Sequence, residues 1–333
     1  MLNIAFIADS GYVLPSVVAI TSLLINKKDT TVYKIYFLSI GLTEEEKNKI
    51  SATCQKYNTE LLIIDVDQDK LKEKYSQIGK HECCANTSAL IKFDLPSYCP
   101  DDTILYLDGD IIVQSDLSDL ESIALDDNTY VAAVPESGIL YNKIIIRQNI
   151  DNYFNSGVML LNLKGIRANN ISEKLYLAKL ASTDSSLMDQ HVFNEVFNNH
   201  KIILDHKYNV LFTSIIRASH FHGIDINQIN SLFSKEYEDF DSIKRNAAVI
   251  HYSTFDKPWK YSDIDAIDEW NRYYLLSEYK DQALKRKKLH IKQINKMREH
   301  KILGLVGTFW WECETRGLKK ALSEVKTFLF HKG

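Results

Sequence analysis

The sequence predicts an α/β fold built on a mainly parallel sheet that is flanked by helices. Short β-rich runs alternate with segments of helical spacing from the first residues onward. This alternation is typical of right-handed βαβ units, whose strands share one direction. Because such a sheet binds its ligands beyond the carboxyl ends of the strands, the residues that follow each strand are candidates for function.

The first three strands are predicted at Asn3–Asp9, Tyr33–Ile40 and Glu60–Asp67. The helix between the second and third strands has a start signal, because Thr43 and Glu46 have the spacing of a capping box. Further strands are predicted at Ile104–Leu107, Tyr130–Glu136, Ser156–Leu163, Lys201–Asp205 and Ala248–Tyr252, and helices at Lys164–Ala181 and Leu187–Phe197.

Composition and charge divide the chain into two regions. With 333 residues and 45% hydrophobic content, the chain can bury one large domain or two smaller ones. The net charge of −4 argues against a general nucleic-acid binder. Residues 280–333 nevertheless carry a net charge of +9, against −13 for residues 1–279. We therefore predict an α/β domain at 1–275 and a basic, amphipathic, helical C-terminal region at 276–333.

The cysteines and the N-terminus both favour a cytoplasmic protein. The five cysteines are an odd number without CxxC spacing, which is typical of reduced thiols. The N-terminus lacks the features of a secretion signal, and no apolar run approaches the roughly 20 residues of a membrane-spanning helix. The cysteines are Cys54, Cys83, Cys84, Cys99 and Cys313.

The strongest local signal is Asp108-Gly109-Asp110, which has apolar residues on both sides. In an extended segment, Asp108 and Asp110 project to the same side, and Gly109 allows a ligand or metal to approach the backbone. Two carboxylates so close repel each other unless a cation lies between them. The alternative is a polar strand end or an Asx turn, which the apolar flanks disfavour.

A third ligand is available in His251, which directly follows an apolar strand. A single histidine is more often structural, but Lys257 lies six residues further on and is followed by Pro258 and Trp259. Two carboxylates and an imidazole suit Mn²⁺ or Mg²⁺. The nearby lysine makes a diphosphate the natural ligand.

Six motifs in order resemble glycosyltransferase family 8, whose members are retaining enzymes of GT-A fold that use UDP-sugars and Mn²⁺. The motifs are IAFIADSGYVLPSVVAITSLL, TSALIKFDLPSYCP, ILYLDGDIIV, YFNSGVMLLNL, LMDQHVFN and HYSTFDKPWKY. They span about residues 3–261. The resemblance implies a Rossmann-like mixed sheet, mainly parallel, flanked by helices.

The resemblance also implies roles for individual residues. It makes Asp108, Asp110 and His251 the metal ligands, and it places Lys257 on the diphosphate. It implies that Ala8, Asp9 and Tyr12 contact the uracil and ribose and that Gly109 contacts the donor. It also implies that Asn155, Asp189 and Gln190 lie at the donor sugar and the catalytic face.

Plain structural roles stay open for three of these residues: a helix cap for Asp9, a turn for Asn155 and an exposed helical carboxylate for Asp189. Two positions depart from the family pattern. Lys92 stands where the family usually has arginine, so the charge is kept but the bidentate fork is lost. Thr254 stands where the family commonly has glycine.

The implied function is retaining transfer of glucose or galactose from a UDP-sugar to a hydroxyl of a glycan acceptor. The expected setting is synthesis of bacterial lipopolysaccharide or another surface polysaccharide. The metal and Lys257 would stabilise the leaving diphosphate, while Asp189 and Gln190 face an oxocarbenium-like centre. A covalent intermediate and same-face attack both remain open. The alternatives are a metal-dependent nucleotidyltransferase, although a Gly-rich triphosphate loop is missing, and a non-catalytic UDP-sugar-binding module.

Two segments are expected to face the acceptor or a membrane. The basic C-terminal region has the composition of an interfacial helix drawn to anionic lipid on the cytoplasmic face of the inner membrane. A solvated helix packed on the body is the alternative. The segment Ser137–Asp151, without clear periodicity, is expected to shape the acceptor cleft.

Overall fold

The computed structural model describes residues 1–76, 87–182 and 188–290, with the single positions 309, 313, 317 and 318. The strands are β1 (Leu2–Asp9), β2 (Tyr33–Ile40), β3 (Glu60–Asp65), β4 (Thr103–Leu107), β5 (Ile111–Val113), β6 (Val131–Pro135), β7 (Phe154–Asn162), β8 (Lys201–Ile203) and β9 (Val249–His251). The helices are α1 (Val13–Ile25), α2 (Glu44–Lys56), α3 (Gln68–Tyr75), α4 (Leu95–Tyr98), α5 (Lys143–Arg147), α6 (Leu163–Ala168), α7 (Ile171–Ala181), α8 (Met188–Val196), α9 (Phe212–His222), α10 (Ile226–Phe233), α11 (Phe240–Arg245) and α12 (Ile267–Tyr274).

Seven of the described strands form one sheet in the order β3-β2-β1-β4-β7-β6-β8. Within it β7 alone runs against its two neighbours, β4 and β6. The chain moves outward from β1 on one side through β2 and β3, and β4 lies on the other side of β1. Such a reversal opens a crevice at the carboxyl ends of the strands. Because β7 is antiparallel, its first residues also lie at that edge, where Val158 pairs with Leu107.

The sheet is buried on both faces, as expected for a parallel sheet covered by helices. Alternate residues of β1 enter different hydrophobic clusters: Ile4 and Phe6 pack with α1 on one face, and Ala5 packs on the other. The predicted capping box of α2 is confirmed, since Thr43 and Glu46 exchange both hydrogen bonds. The α/β class and the mainly parallel sheet are likewise confirmed.

The Asp-Gly-Asp segment differs from the expectation of one extended run. The chain turns at 108–110, so β4 stays in the large sheet while β5 leaves it and pairs with β9 in a separate ribbon. The two carboxylates therefore converge because the chain turns between them. Alternation along a strand does not bring them together.

Two helical expectations also change in detail. The predicted helix over 164–181 is two helices, α6 and α7, because Asn170 adopts a left-handed conformation with φ of 51° between them. Ser137–Asp151 contains a 3₁₀ helix at Ser137–Leu140 and the short helix α5, so it is more ordered than its sequence indicates.

Residues 276–290, predicted to be helical, form turns and an extended segment on the body of the domain. Lys287 pairs with Tyr261, and the Leu289 side chain is buried. The remainder of the basic region lies almost entirely outside the described residues, as do Cys83 and Cys84. Cys54 and Cys99 are free buried thiols. Among the described helices, each is too short or too polar to cross a bilayer.

Candidate active site

A cleft of about 450 Å³ opens at the carboxyl ends of β1 and β4. Its volume falls within the range of small-molecule and cofactor sites. Every site residue predicted from the sequence lines it: Ala8, Asp9, Tyr12, Lys92, Asp108, Gly109, Asp110, Asn155, Asp189, Gln190, His251 and Lys257.

The Asp-Gly-Asp turn and the end of β9 bring three potential metal ligands together. Ile111 pairs with His251 across the β5–β9 ribbon, which places the imidazole beside the turn. One ligand atom each from Asp108, Asp110 and His251 lies within 4.8 Å of the other two. His251 Nε2 is 3.8 Å from Asp108 Oδ2 and 3.3 Å from Asp110 Oδ1. The site therefore presents two oxygens and one nitrogen to a common point.

Lys257 contacts this group from the loop after β9. Its Nζ lies 2.6 Å from Asp110 Oδ2 and 2.6 Å from the carbonyl oxygen of Tyr252. Burial by itself raises the pKa of the Asp110 carboxyl, but the charges of Lys257 and His251 outweigh it and hold that pKa well below its usual range. Asp110 is thus ready to bind a cation at neutral pH.

Lys92 contacts the same group from the opposite side. It lies on the 3₁₀ helix Thr87–Asp94, and its Nζ is 3.2 Å from Asp108 Oδ1 and 2.9 Å from Asp189 Oδ2. Burial lowers the pKa of Lys92, but the two carboxylates outweigh this effect and raise it. Lys92 is therefore a charged bridge between the Asp-Gly-Asp turn and helix α8.

The donor-sugar residues of the prediction form a buried amide and carboxylate network. Asn155 Nδ2 donates to Gln190 Oε1 at 3.0 Å and to Glu136 Oε2 at 2.9 Å. Asp189 Oδ2 accepts a 3.0 Å hydrogen bond from Ser156 Oγ. Asp189 is only 6% exposed, so the exposed helical carboxylate considered from the sequence is wrong.

The predicted nucleotide end of the cleft contains Asp9 and Tyr12. Asp9 Oδ1 accepts from the Gly11 N–H at 2.9 Å, whereas α1 has Tyr12 at its N-cap without a side-chain cap. Asp9 therefore closes an Asx turn and does not cap the helix. The Tyr12 ring packs edge-on against Trp259, with ring centroids 5.5 Å apart. Burial and the neighbouring Asp110 raise the pKa of Tyr12 to about 12, so its hydroxyl remains a hydrogen-bond donor.

Two glycines are required by close approach. A Cβ at Gly157 would lie 2.3 Å from His251 Cε1 and 2.7 Å from Asp108 Oδ2. A Cβ at Gly109 would lie 2.3 Å from Ser16 Oγ. Thr254, which departs from the family pattern, lines the cleft, and its hydroxyl donates to Thr213 Oγ1 at 3.2 Å.

Sequence reasoning missed several residues that lie in or beside the cleft. Tyr106 lines it and donates a hydrogen bond to Asp108 Oδ1. The others are Glu136, Ser156, Gly157 and Asn209. Ser156 and Gly157 belong to a motif quoted above, so their place beside the cleft had a local signal. Asn209 lies in the connection between β8 and α9, and the residues around it in the sequence do not distinguish it from other loop asparagines.

The residues present fit a divalent metal. His251 Nδ1 hydrogen-bonds to Asn209 Oδ1 at 3.0 Å, so Nε2 is the nitrogen that faces the two carboxylates. Gly157 leaves room for the three groups to meet. Carboxylate oxygens with one imidazole nitrogen are a donor set for Mn²⁺ or Mg²⁺.

Comparison with known sequences finds a family and relatives that match most of the chain. The model of "Glycosyl transferase family 8" matches residues 3–263. A lipopolysaccharide 1,2-glucosyltransferase of Escherichia coli is 27% identical over 310 residues, covering 90% of this chain and 83% of that protein. The glycosyltransferase GlyF of Streptococcus pneumoniae is 23% identical over 330 residues, covering 99% of this chain and 74% of that protein. The second match extends through the basic C-terminal region.

Comparison with solved structures supports the fold. The crystal structure of an active-site mutant of LgtC superposes with a TM-score of 0.67 at 21% identity, covering 83% of this chain and 96% of that chain. The large sheet with its flanking helices is therefore an arrangement already seen in a solved structure.

Proposed function

The chain belongs to glycosyl transferase family 8, and from this premise we propose that it transfers glucose or galactose from a UDP-sugar to a hydroxyl of a glycan acceptor. Its setting would be synthesis of a bacterial surface polysaccharide such as lipopolysaccharide, the kind of product that its E. coli relative is named for. We place catalysis in residues 1–275.

One observation carries this proposal. Asp108, Asp110 and His251 present three ligand atoms within 4.8 Å of one another, and a buried lysine lies directly beside them. A lone acidic pair would be a costly arrangement, since buried carboxylates repel and lose solvation. A metal bound between the two carboxylates would balance their negative charge. A diphosphate bound to that metal would in turn give Lys257 an anionic partner.

The metal, Mn²⁺ or Mg²⁺, would be held by Asp108, Asp110 and His251, and it would supply a positive charge next to the leaving diphosphate. Lys257 adds a second positive charge at the same edge. In the ligand-free site its Nζ bonds to Asp110, and we infer that it exchanges this partner for a diphosphate oxygen when the donor binds. With the metal bound, Lys257 would add to its effect by stabilising the charge that develops on the leaving group.

Asp189 and Gln190 are proposed to act at the donor sugar. Asp189 pairs with Lys92 at 2.9 Å, and its carboxylate would stabilise an oxocarbenium-like centre. Gln190 Oε1 already accepts bonds from Asn155 Nδ2 and the Ser156 N–H, so it holds the amide network in place. The proposed nucleotide contacts are Ala8, Asp9 and Tyr12, with Gly109 and Lys92 at the diphosphate and sugar.

The test is UDP release from a panel of UDP-sugars in the presence of Mn²⁺. We expect release from one or two donors, and loss of that release with EDTA or in the Asp110→Asn variant. Asp126→Asn is the matched control, because Asp126 is an exposed carboxylate outside the residues that line the cleft. Its release should equal that of the wild type.

The other two candidate functions have distinct products. Release of pyrophosphate from a nucleoside triphosphate would identify a nucleotidyltransferase. Binding of UDP without any release, with acceptor glycans added, would identify a module that only binds the UDP-sugar. Either result would overturn the proposed transfer.

We further propose that the basic C-terminal region docks the enzyme on an anionic membrane. In its described part, Lys285, Lys287 and Lys288 are exposed, and the apolar pair Leu275 and Leu276 beside it is 62% and 45% exposed. Exposed apolar and basic side chains together suit a negatively charged lipid surface.

Co-sedimentation with vesicles tests the membrane proposal. Full-length protein should bind phosphatidylglycerol vesicles and not phosphatidylcholine vesicles, and binding should weaken when residues 291–333 are removed. The deletion begins at residue 291 because the residues just before it are part of the domain body. Leu289 is buried there, and Lys287 pairs with Tyr261. Equal binding by the deleted and full-length proteins would contradict the proposal.

A further inference from the structure

We propose that Asn209 is a positioning residue that keeps a proton on His251 Nδ1, so that Nε2 is the ring nitrogen presented to a metal at Asp108 and Asp110. The inference rests on the proposed function in one respect, namely that this trio binds a metal. Asn209 itself is 1% exposed and is absent from the residues lining the described cleft, so it acts through His251.

The backbone brings Asn209 next to His251. The residue that follows it, Val210, forms a parallel bridge with Ile250, and its carbonyl accepts from the His251 N–H at 2.9 Å. The Val210 N–H in turn donates to the Val249 carbonyl at 2.9 Å. Asn209 is therefore fixed at the edge of β9 by main-chain bonds, independently of what its side chain does.

The orientation of the Asn209 amide follows from its other neighbour, Asn155. Asn155 Oδ1 accepts from the Gly157 N–H at 3.0 Å, and Asn155 Nδ2 donates to the Glu136 carboxylate at 2.9 Å. A backbone N–H can only donate and a carboxylate oxygen accepts, so both ends of the Asn155 amide are determined.

The orientation of the Asn155 amide determines the orientation of the Asn209 amide, which in turn determines the proton on His251 Nδ1. Asn155 Oδ1 lies 2.9 Å from the side-chain amide of Asn209, which must therefore present its Nδ2 there. Its Oδ1 is then the atom 3.0 Å from His251 Nδ1, and an oxygen at this position requires a proton on Nδ1. Nε2 therefore faces the two carboxylates, and it is the ring nitrogen left to bind a metal.

This chain of amides links the metal trio to the donor-sugar residues. Asn155 also donates to Gln190, so the orientation of the imidazole and the position of Gln190 depend on one amide. Partners of this kind fix the tautomer and ring orientation of metal-binding histidines, and their loss typically weakens metal affinity about 10–100-fold.

The first experiment is performed without metal. Selective ¹⁵N labelling of histidine, with His251→Gln used to assign the signal, reports which ring nitrogen of His251 carries the proton. We expect protonated Nδ1 in the wild type. In Asn209→Ala, Nδ1 has lost this acceptor, and the proton should lie on Nε2, which faces the two carboxylates. Asn209→Asp retains an oxygen for Nδ1, so it should restore protonated Nδ1.

The second experiment measures Mn²⁺ affinity by titration calorimetry. Asn209→Ala should bind Mn²⁺ about 10–100-fold more weakly, and Asn209→Asp should recover most of the loss. The matched control is Asn162→Ala, which removes another buried asparagine with three hydrogen bonds at the opposite end of β7. The control should lower thermal stability and leave both the His251 signal and Mn²⁺ affinity unchanged.

The outcomes separate the inference from the proposed function. Protonated Nδ1 in Asn209→Ala, or Mn²⁺ affinity within twofold of the wild type, would overturn the role of Asn209. A wild type that shows the expected tautomer but fails to bind Mn²⁺ would support the positioning of His251 and overturn the proposed metal site.

Discussion

Lys92 and Lys257 are both buried beside the Asp-Gly-Asp turn, but their surroundings differ. Lys92 lies on a 3₁₀ helix and contacts two carboxylates, Asp108 and Asp189, at 3.2 Å and 2.9 Å. Lys257 lies on a loop and contacts one carboxylate, Asp110, together with a backbone carbonyl oxygen. Their exposed fractions are nearly equal, at 7% and 8%, so burial alone does not distinguish them.

The two lysines differ in the carboxylates that would lose a cationic partner if the lysine were removed. Without Lys92, the buried Asp189 carboxylate would lose its cation, whereas Asp108, whose side chain is 26% exposed, would still lie 3.8 Å from His251 Nε2. Without Lys257, Asp110 would still lie 3.3 Å from His251 Nε2. We therefore expect Lys92 to contribute mainly to the stability of the site and Lys257 mainly to the reaction.

The largest effect should come from Lys92→Met. An unpaired buried charge costs about 3–5 kcal/mol, and we expect a loss of that size in the free energy of unfolding, measured by urea denaturation. Lys92→Arg restores the charge and should lose less than half as much. Equal urea midpoints for Lys92→Met and the wild type would show that Asp108 and Asp189 tolerate each other without this lysine.

The second effect should be on catalysis. Lys257→Met removes a cation from the leaving group, and kcat/KM for the UDP-sugar should fall about 10²–10³-fold. Its free energy of unfolding should fall by less than that of Lys92→Met. If Lys257→Met proves the less stable of the two variants and stays active, the division between the lysines is reversed.

A smaller effect is expected from Gly157→Ala, which disturbs the Asp108 side of the turn. The added Cβ would lie 2.7 Å from Asp108 Oδ2 and 2.3 Å from His251 Cε1. Overpacking of this kind costs about 1–3 kcal/mol in the free energy of unfolding, and Mn²⁺ affinity should fall with it.

Gly165→Ala provides the matched comparison for this variant. Its Cβ would lie 2.8 Å from Asn162 Nδ2, at the far end of β7 from the cleft. It should be destabilised to a similar degree while Mn²⁺ affinity is unchanged. A parallel loss of Mn²⁺ affinity in Gly165→Ala would indicate a general effect on folding.

The smallest effect is a dependence on alkaline pH. Burial lowers the pKa of both lysines, but the neighbouring carboxylates outweigh it, so both pKa values are raised in the folded protein. Each lysine therefore contributes stability that is present below the unfolded pKa of about 10.4 and is lost as pH rises through the higher folded pKa. Between the unfolded pKa and the folded pKa, each lysine should reduce the free energy of unfolding by about 1.4 kcal/mol per pH unit.

Urea denaturation between pH 9 and pH 11.5 measures this dependence. The decline should be shallower in Lys92→Met and in Lys257→Met than in the wild type. Parallel curves for all three proteins would show that neither lysine has a raised pKa in the folded state.

Periodicity in the sequence was sufficient to locate the strands of the large sheet, but not to give their order. The runs at β1, β2 and β7 are apolar and β-rich, and the capping box at Thr43 marks the start of α2. These signals can be recognised in the sequence because they depend only on neighbouring residues. The break at Asn170 and the turn at 108–110 were missed. Each depends on a local backbone conformation that competes with the continuing apolar pattern.

Residue types and their order are enough to predict the α/β class and to single out the acidic pair with its lysine and histidine, because they carry the family pattern. How these groups meet depends on the tertiary contacts. The tertiary structure placed Asp189 against Lys92, and it placed Asn209 between His251 and Asn155, although Asn209 is 54 residues from Asn155 and 42 from His251. Contacts between such distant residues arise from strand order and register, which fix where each chain segment ends.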